Sequence, residues 1–242
     1  MAATAILTVP HMHPSGGTPE AQALLRLLQL ASPSLPVGAY SYSEGLEYAV
    51  HAGAVRDAAT LRAWIEDGLE FGAARLEAAV LARVHDAWRQ DDLERVQSWD
   101  RWLGATREGE ELRHQSLDMG RALLRLLKDL DPPLPNVSAL FATPCNFASV
   151  FGIAAAYWDI PRAAAVAAYL QSWVANLAGA GVKLIPLGQT AGQQLLWDLQ
   201  AGVAQAAQTA AHIADEDLGV GNWGLALAGM AHETQYSRLF RS

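Results

Sequence analysis

A metal site or a nucleophile would first be sought among the seven histidines, the single cysteine and the 25 acidic residues of this chain. His11 and His13 form a His-x-His pair near the start. Two ligands do not complete a transition-metal site, and a solvated segment accounts for the pair. His51, His85, His114, His212 and His232 are scattered, with no HExxH and no His-x-x-x-His spacing. Cys145 stands in TPCNF with no histidine nearby, which points to a buried, inert thiol rather than a nucleophile. One cysteine cannot form an internal disulfide, in keeping with a reducing, cytoplasmic setting. The chain has no P-loop, no GxGxxG following a strand and no GxSxG elbow, so nucleotide binding through those devices is not expected.

One enzymatic chemistry has residues of the right type. All-helical isoprenoid synthases hold magnesium and a diphosphate between two acidic clusters, and hard oxygen ligands suit magnesium. Asp91, Asp92 and Glu94 could form one cluster, and Asp215, Glu216 and Asp217 the other. Against this, DDLE lacks the aspartate expected one turn later, and no basic group is placed to grip a diphosphate. Acidic residues also belong at helix starts, where they face the positive end of the helix dipole. No catalytic residue, metal ligand or cofactor is assigned, and the chain is read as a non-enzyme.

Two segments resist a purely structural reading. SPSLPVGAYSYSEGLE, residues 32–47, sets Pro33, Pro36 and Gly38 beside Tyr40 and Tyr42, followed by Glu44 and Glu47. Prolines fix backbone angles and glycine permits close approach, so the stretch suits a rigid recognition surface. A tight interhelix turn would explain the prolines and glycine but not the alternation of aromatic and polar residues. HETQYSRLFRS, residues 232–242, puts Tyr236, Leu239 and Phe240 among Arg238 and Arg241. Tyrosine and arginine are favoured at binding hot spots. This aromatic, basic tail either docks on its own domain or orders against a partner.

The elements that must carry these segments are helices. Half of the residues are hydrophobic (51%) and 17% are charged, a balance that folds rather than stays disordered. The abundant alanine and leucine favour helix. A helix is expected from Glu20 to about Leu30, and Pro33 and Pro36 then exclude regular helix. Asp57 is a good N-cap for a long helix whose apolar positions Leu61, Trp64, Ile65, Leu69, Leu76, Val80 and Val84 recur at helical spacing. A third helix aligns Leu93, Val96 and Leu103 beside Trp99 and Trp102. A fourth runs from about Thr106 to Leu130 with Leu112, Met119, Leu123, Leu126, Leu127 and Leu130 inward, and DPPLP, residues 131–135, ends it. Two helical stretches fill residues 137–158, and Pro161 suits the first turn of a long helix with Val166, Tyr169, Leu170, Trp173, Val174 and Leu177 buried. Pro186 and Gly188 interrupt it. One more helix spans about Gln189 to Ile213, a glycine-rich loop follows, and a last helix leads into the tail. No alternating strand or hairpin signal is present. The expectation is an all-α protein with one compact multi-helix domain over residues 20–231, a flexible segment 1–19 and a tail 232–242.

The net charge of −8 disfavours nucleic acid and anionic membrane surfaces. The opening residues lack a basic n-region and a long apolar core, so no secretory signal is read. The most apolar run, Ala148 to Trp158, is too short to span a bilayer.

From about Leu24 to Ser242 the chain resembles the urease accessory protein F (UreF) family. LLQLASPSLPVGAYSYSEGLE, TREGEELRHQSLDMGRALLRLL, GVKLIPLGQTAGQQLL and HETQYSRLFRS carry the resemblance, in the family's order. It implies an all-helical, dimeric, non-catalytic scaffold. Such proteins bind a second scaffold, UreD (UreH in some systems), recruit the nickel-carrying GTPase UreG, and help deliver nickel to apo-urease. It further implies that the tail, with His232, Glu233, Gln235, Tyr236, Arg238, Leu239, Phe240 and Arg241, contacts UreD and becomes ordered there, with Tyr236, Leu239 and Phe240 as buried anchors. Arg238 and Lys183 match positions implicated in holding the GTPase, as a cationic pair suited to an acidic patch. Tyr40, Tyr42, Ser43, Glu44 and Glu47 match the family's most recognisable stretch, facing a partner or bracing the dimer. Three positions depart from the pattern. Gly109 replaces a helix-favouring residue, so that helix is expected to start later. Asn146 stands where a histidine is common, and Ala231 where an arginine often precedes HETQ.

Overall fold

FASVFGIAAAY, residues 147–157, has no charged side chain and apolar residues on every face, and a helix of that kind is stable only when wrapped by others. In the computed structural model, which describes residues 18–107, 109–130, 137, 145–219 and 221–242, this segment is α7 (Phe147–Tyr157). Every residue of it from Phe147 to Ala156 is buried. Around it stand α1 (Pro19–Leu30), α2 (Leu46–His51), α3 (Ala58–Phe71), α4 (Ala73–Arg89), α5 (Leu93–Ala105), α6 (Glu110–Leu130), α8 (Arg162–Leu184), α9 (Gln189–Asp198), α10 (Gln200–His212) and α11 (Trp223–Glu233). All regular structure among the described residues is helical. None of these helices is long and apolar enough to cross a membrane.

The central packing is α7 against α4 and α6, with α4 also touching α5, α8 and α10. Small residues set how close α4 and α7 come. A Cβ on Gly152 would lie 2.9 Å from the Leu81 carbonyl oxygen of α4. Phe147, Phe151 and Tyr169 fill the space towards α8, with ring centroids 5.4–6.1 Å apart. Every position of the predicted α8 stripe is buried. The α1 helix opens with Thr18 capping Ala21 N and Pro19 in its first turn.

Several expectations are corrected. The helix expected to run on from Asp57 is two helices, α3 and α4, parted at Gly72, where the backbone is extended (φ −89°, ψ −178°). Asp57 does cap α3, in a reciprocal capping box with Thr60. The helix expected from Gln189 to Ile213 divides at Leu199 into α9 and α10. The short α2 was not foreseen. The fourth helix begins at Glu110 rather than near Thr106, the later start that Gly109 implied. Leu130, expected inward, is 51% exposed. Segment 1–19 up to residue 17, with His11 and His13, the DPPLP stop at 131–135 and the first of the two stretches in 137–158 lie outside the described residues, except for the buried Val137.

Candidate functional site

The segment SYSEGLE builds a receptor, and the chain's own tail occupies it. Glu44 and Gly45 both have positive φ, 52° and 79°. This bend turns the amides of Ser43 and Glu44 towards one point, where both donate to the Ser242 main-chain oxygen at 2.6 and 3.0 Å. The Ser43 hydroxyl donates to the same atom at 2.6 Å. Glycine is required at position 45 twice over, for its φ and because a Cβ would lie 2.8 Å from the Gly229 nitrogen of α11. At the other end of the receptor the Glu47 carboxylate takes two successive tail amides, Leu239 N at 2.6 Å and Phe240 N at 2.9 Å. Arg241 N donates to the Ser41 carbonyl at 2.8 Å. Phe240 is 5% exposed, with the Lys183 ammonium 5.5 Å from its ring centroid.

A second row of polar groups holds the receptor. His232, 0% exposed, directs Nε2 at Glu47 (3.2 Å) and Nδ1 at Glu111 (2.9 Å). Arg238 Nη1 lies 2.5 Å from the other oxygen of Glu111. Gln115 donates to Glu44 at 2.7 Å and shares a 2.9 Å hydrogen bond with the Ser242 hydroxyl. Trp173 Nε1 donates to Glu44 at 2.8 Å, and Asn176 to the Tyr42 carbonyl at 3.0 Å. Glu233, at the end of α11, accepts the Glu110 and Glu111 amides at 3.1 and 3.4 Å and so caps α6.

The structure thus brings together Tyr42, Ser43, Glu44, Glu47, Lys183, His232, Arg238, Leu239, Phe240 and Arg241. Phe240 points into its own domain. Tyr236 and Leu239 point outward, at 105% and 66% exposure. Gln235 folds back on the Ser237 carbonyl at 2.9 Å. Tyr40 is set apart, exposed on the rim of a cavity of about 190 Å³. Sequence reasoning missed Glu111 and Gln115, whose only signal was their place in a segment shared with the family.

That cavity has a charged floor that the sequence also left unmarked. Arg107 forms an ion pair with Glu77, and Tyr169 donates to the same carboxylate at 2.7 Å. Burial pushes the Arg107 guanidinium below its ordinary range, and burial pushes the Tyr169 phenol up.

Asn146 sits in a buried knot rather than at an open site. Its amide and side chain both donate to Asp100, at 2.9–3.0 Å, and it accepts from Ser116 at 3.0 Å. Cys145 is fully buried beside Asp100; burial first, and then the Asp100 carboxylate, hold its thiol well above the usual range. Native Cys145 is therefore expected to react with iodoacetamide at least about a hundredfold more slowly than in the unfolded chain, as followed by mass spectrometry.

One residue of each acidic cluster is committed elsewhere. Asp92 caps α5 through Arg95 N at 3.0 Å, and Asp215 pairs with Arg83 at 2.6 Å. Among the described residues no group of three or more His, Cys, Asp or Glu side chains is arranged to hold a metal ion.

These features define an all-α protein whose most elaborately built site receives a peptide segment, its own tail. A family model described as UreF matches residues 55–200, and the chain belongs to the UreF family. A urease accessory protein UreF of Nostoc sp. is 52% identical over 218 residues, covering 90% of this chain and 95% of the relative. The corresponding protein of Alkalilimnicola ehrlichii is 47% identical over 218 residues, covering 90% and 95%. That of Azoarcus sp. is 46% identical over 235 residues, covering 95% and 99%.

Proposed function

We propose that this chain is an accessory protein of urease maturation, not an enzyme: a cytoplasmic, homodimeric scaffold that binds UreD (UreH) and recruits the GTPase UreG to deliver nickel into apo-urease. The carrying observation is the docked tail. It holds Tyr236 and Leu239 outward as apolar anchors; Lys183 lies 5.5 Å from the ring centroid of Phe240, and Arg238, next to Leu239 on the tail, pairs with Glu111. Exposed aromatic and aliphatic groups next to arginine are the composition of a protein-binding hot spot. On a chain of net charge −8, exposed cations such as Lys183 suit an acidic patch on a partner. The relatives named as urease accessory proteins support the reading across nearly the whole chain.

Co-purification of the chain with its cognate UreD and UreG, beside Lys183→Ala and Arg238→Ala, tests this. The wild type is expected to hold both partners, and the variants to keep UreD while losing at least about tenfold in UreG, the scale of one hot-spot contact. A wild-type chain that binds neither partner overturns the reading.

A further inference from the structure

We infer that Glu47 and His232 are positioning residues: buried behind the tail and out of reach of any partner, they fix the register in which residues 236–241 are displayed. The consequence for partner binding rests on the function proposed above; the register rests on geometry alone.

The contacts form a closed ring. From the Leu239 and Phe240 amides they pass to Glu47, from Glu47 to Nε2 of His232, from Nδ1 of His232 to Glu111, and from Glu111 to Arg238, back on the tail. Glu47 comes from α2, Glu111 from α6 and His232 from α11, so three helices must agree before the tail is gripped. Among the described residues, Glu47 and Glu111 are the charged side chains paired with His232, and Arg238 pairs with Glu111. Each ring nitrogen of His232 faces one carboxylate, so the imidazole bridges α2 and α6.

Two neighbouring amides on the two oxygens of one carboxylate fix both the position and the rotation of the backbone. A slip of one residue would offer Glu47 the Arg241 amide, which is already committed to Ser41, and would swing Phe240 out of its buried place. The outward pattern is therefore written by two side chains that are 7% and 0% exposed.

The test uses limited trypsin digestion of the full-length chain, with cleavage read site by site by mass spectrometry, alongside co-purification with UreD and UreG. Glu47→Gln turns one of the two acceptor oxygens into an NH2 donor, which then faces a tail N–H; His232→Ala opens the ring. Both are expected to speed cleavage after Arg238 by about tenfold or more, while sites in α3–α10 stay as protected as in the wild type, and to lower partner retention. Tyr236→Ala, which touches no part of the ring, should lower partner retention without changing cleavage.

A tail as protected in Glu47→Gln and His232→Ala as in the wild type overturns the inference. Cleavage that rises alike at all sites assigns the pair a general structural role and also overturns it. A released tail with undiminished partner retention overturns the link to binding. If the wild type itself retains neither partner, the proposed function fails, and cleavage after Arg238 still decides the register.

Discussion

Replacing Arg107 by alanine is expected to cost about 3–5 kcal/mol of stability, the usual loss when one member of a buried ion pair is removed. The side chains of Arg107 and Glu77 are 7% and 11% exposed. Without the guanidinium, the Glu77 carboxylate keeps only the Tyr169 hydroxyl, at 2.7 Å. That carboxylate is then a buried charge without its cation. The double variant Arg107→Ala/Glu77→Gln should recover part of the loss, because a neutral amide still accepts from Tyr169. Urea denaturation of the two variants measures both effects. A single variant that loses less than about 1 kcal/mol, the scale of an exposed pair, would show that the pair is solvated from the cavity.

Gly120→Ala is expected to destabilise by about 3 kcal/mol, although alanine in a helix interior normally gains about 1 kcal/mol over glycine. A Cβ at Gly120 would lie 2.0 Å from the Cys145 carbonyl oxygen and 3.0 Å from Asn146 C and Phe147 N. Those are backbone atoms at the entrance to α7, and Asn146 is tied to Asp100 and Ser116. Neither helix can give way without breaking that knot. Gly179→Ala, on α8 with nothing within 4 Å of the added carbon, is the control and should stabilise by about 0.4–1 kcal/mol. Thermal or chemical denaturation of the two variants should therefore move in opposite directions.

The helices were legible because their stripes repeat over several turns. Leu123 and Leu127 on α6, and Val166, Leu170, Val174 and Leu177 on α8, are all buried. The breaks were harder to see. At Gly72 the chain bends so that a Cβ would come 2.6 Å from the Gly68 carbonyl, but no proline marks the spot and apolar spacing resumes on the far side. Leu199 joins α9 to α10 with angles still in the right-handed region (φ −82°, ψ −9°), so periodicity passes through it. The six residues of α2 are too few to show a period. At the site, the sequence marked both halves of the receptor–tail pair but not that they meet, because Glu47 and Phe240 are 193 positions apart and no local rule links them. Glu111 and Gln115 read as ordinary polar positions on an amphipathic helix. Tyr42, marked as a recognition aromatic, is 6% exposed, and Tyr40 is the one that meets solvent.

The pairing of Ser43 with Ser242 spans 199 residues, and that separation has a consequence for how the protein is made. At about 5–20 residues per second on a ribosome, the stretch that receives the tail emerges roughly 10–40 seconds before the tail exists. From the synthesis of Glu111 until that of His232 and Arg238, the nascent chain carries Glu47 and Glu111 without the histidine that joins them and the arginine that closes the ring. A long-range closure of this kind is a late folding event. The surface that depends on it is therefore absent until residues 232–242 have been made and docked.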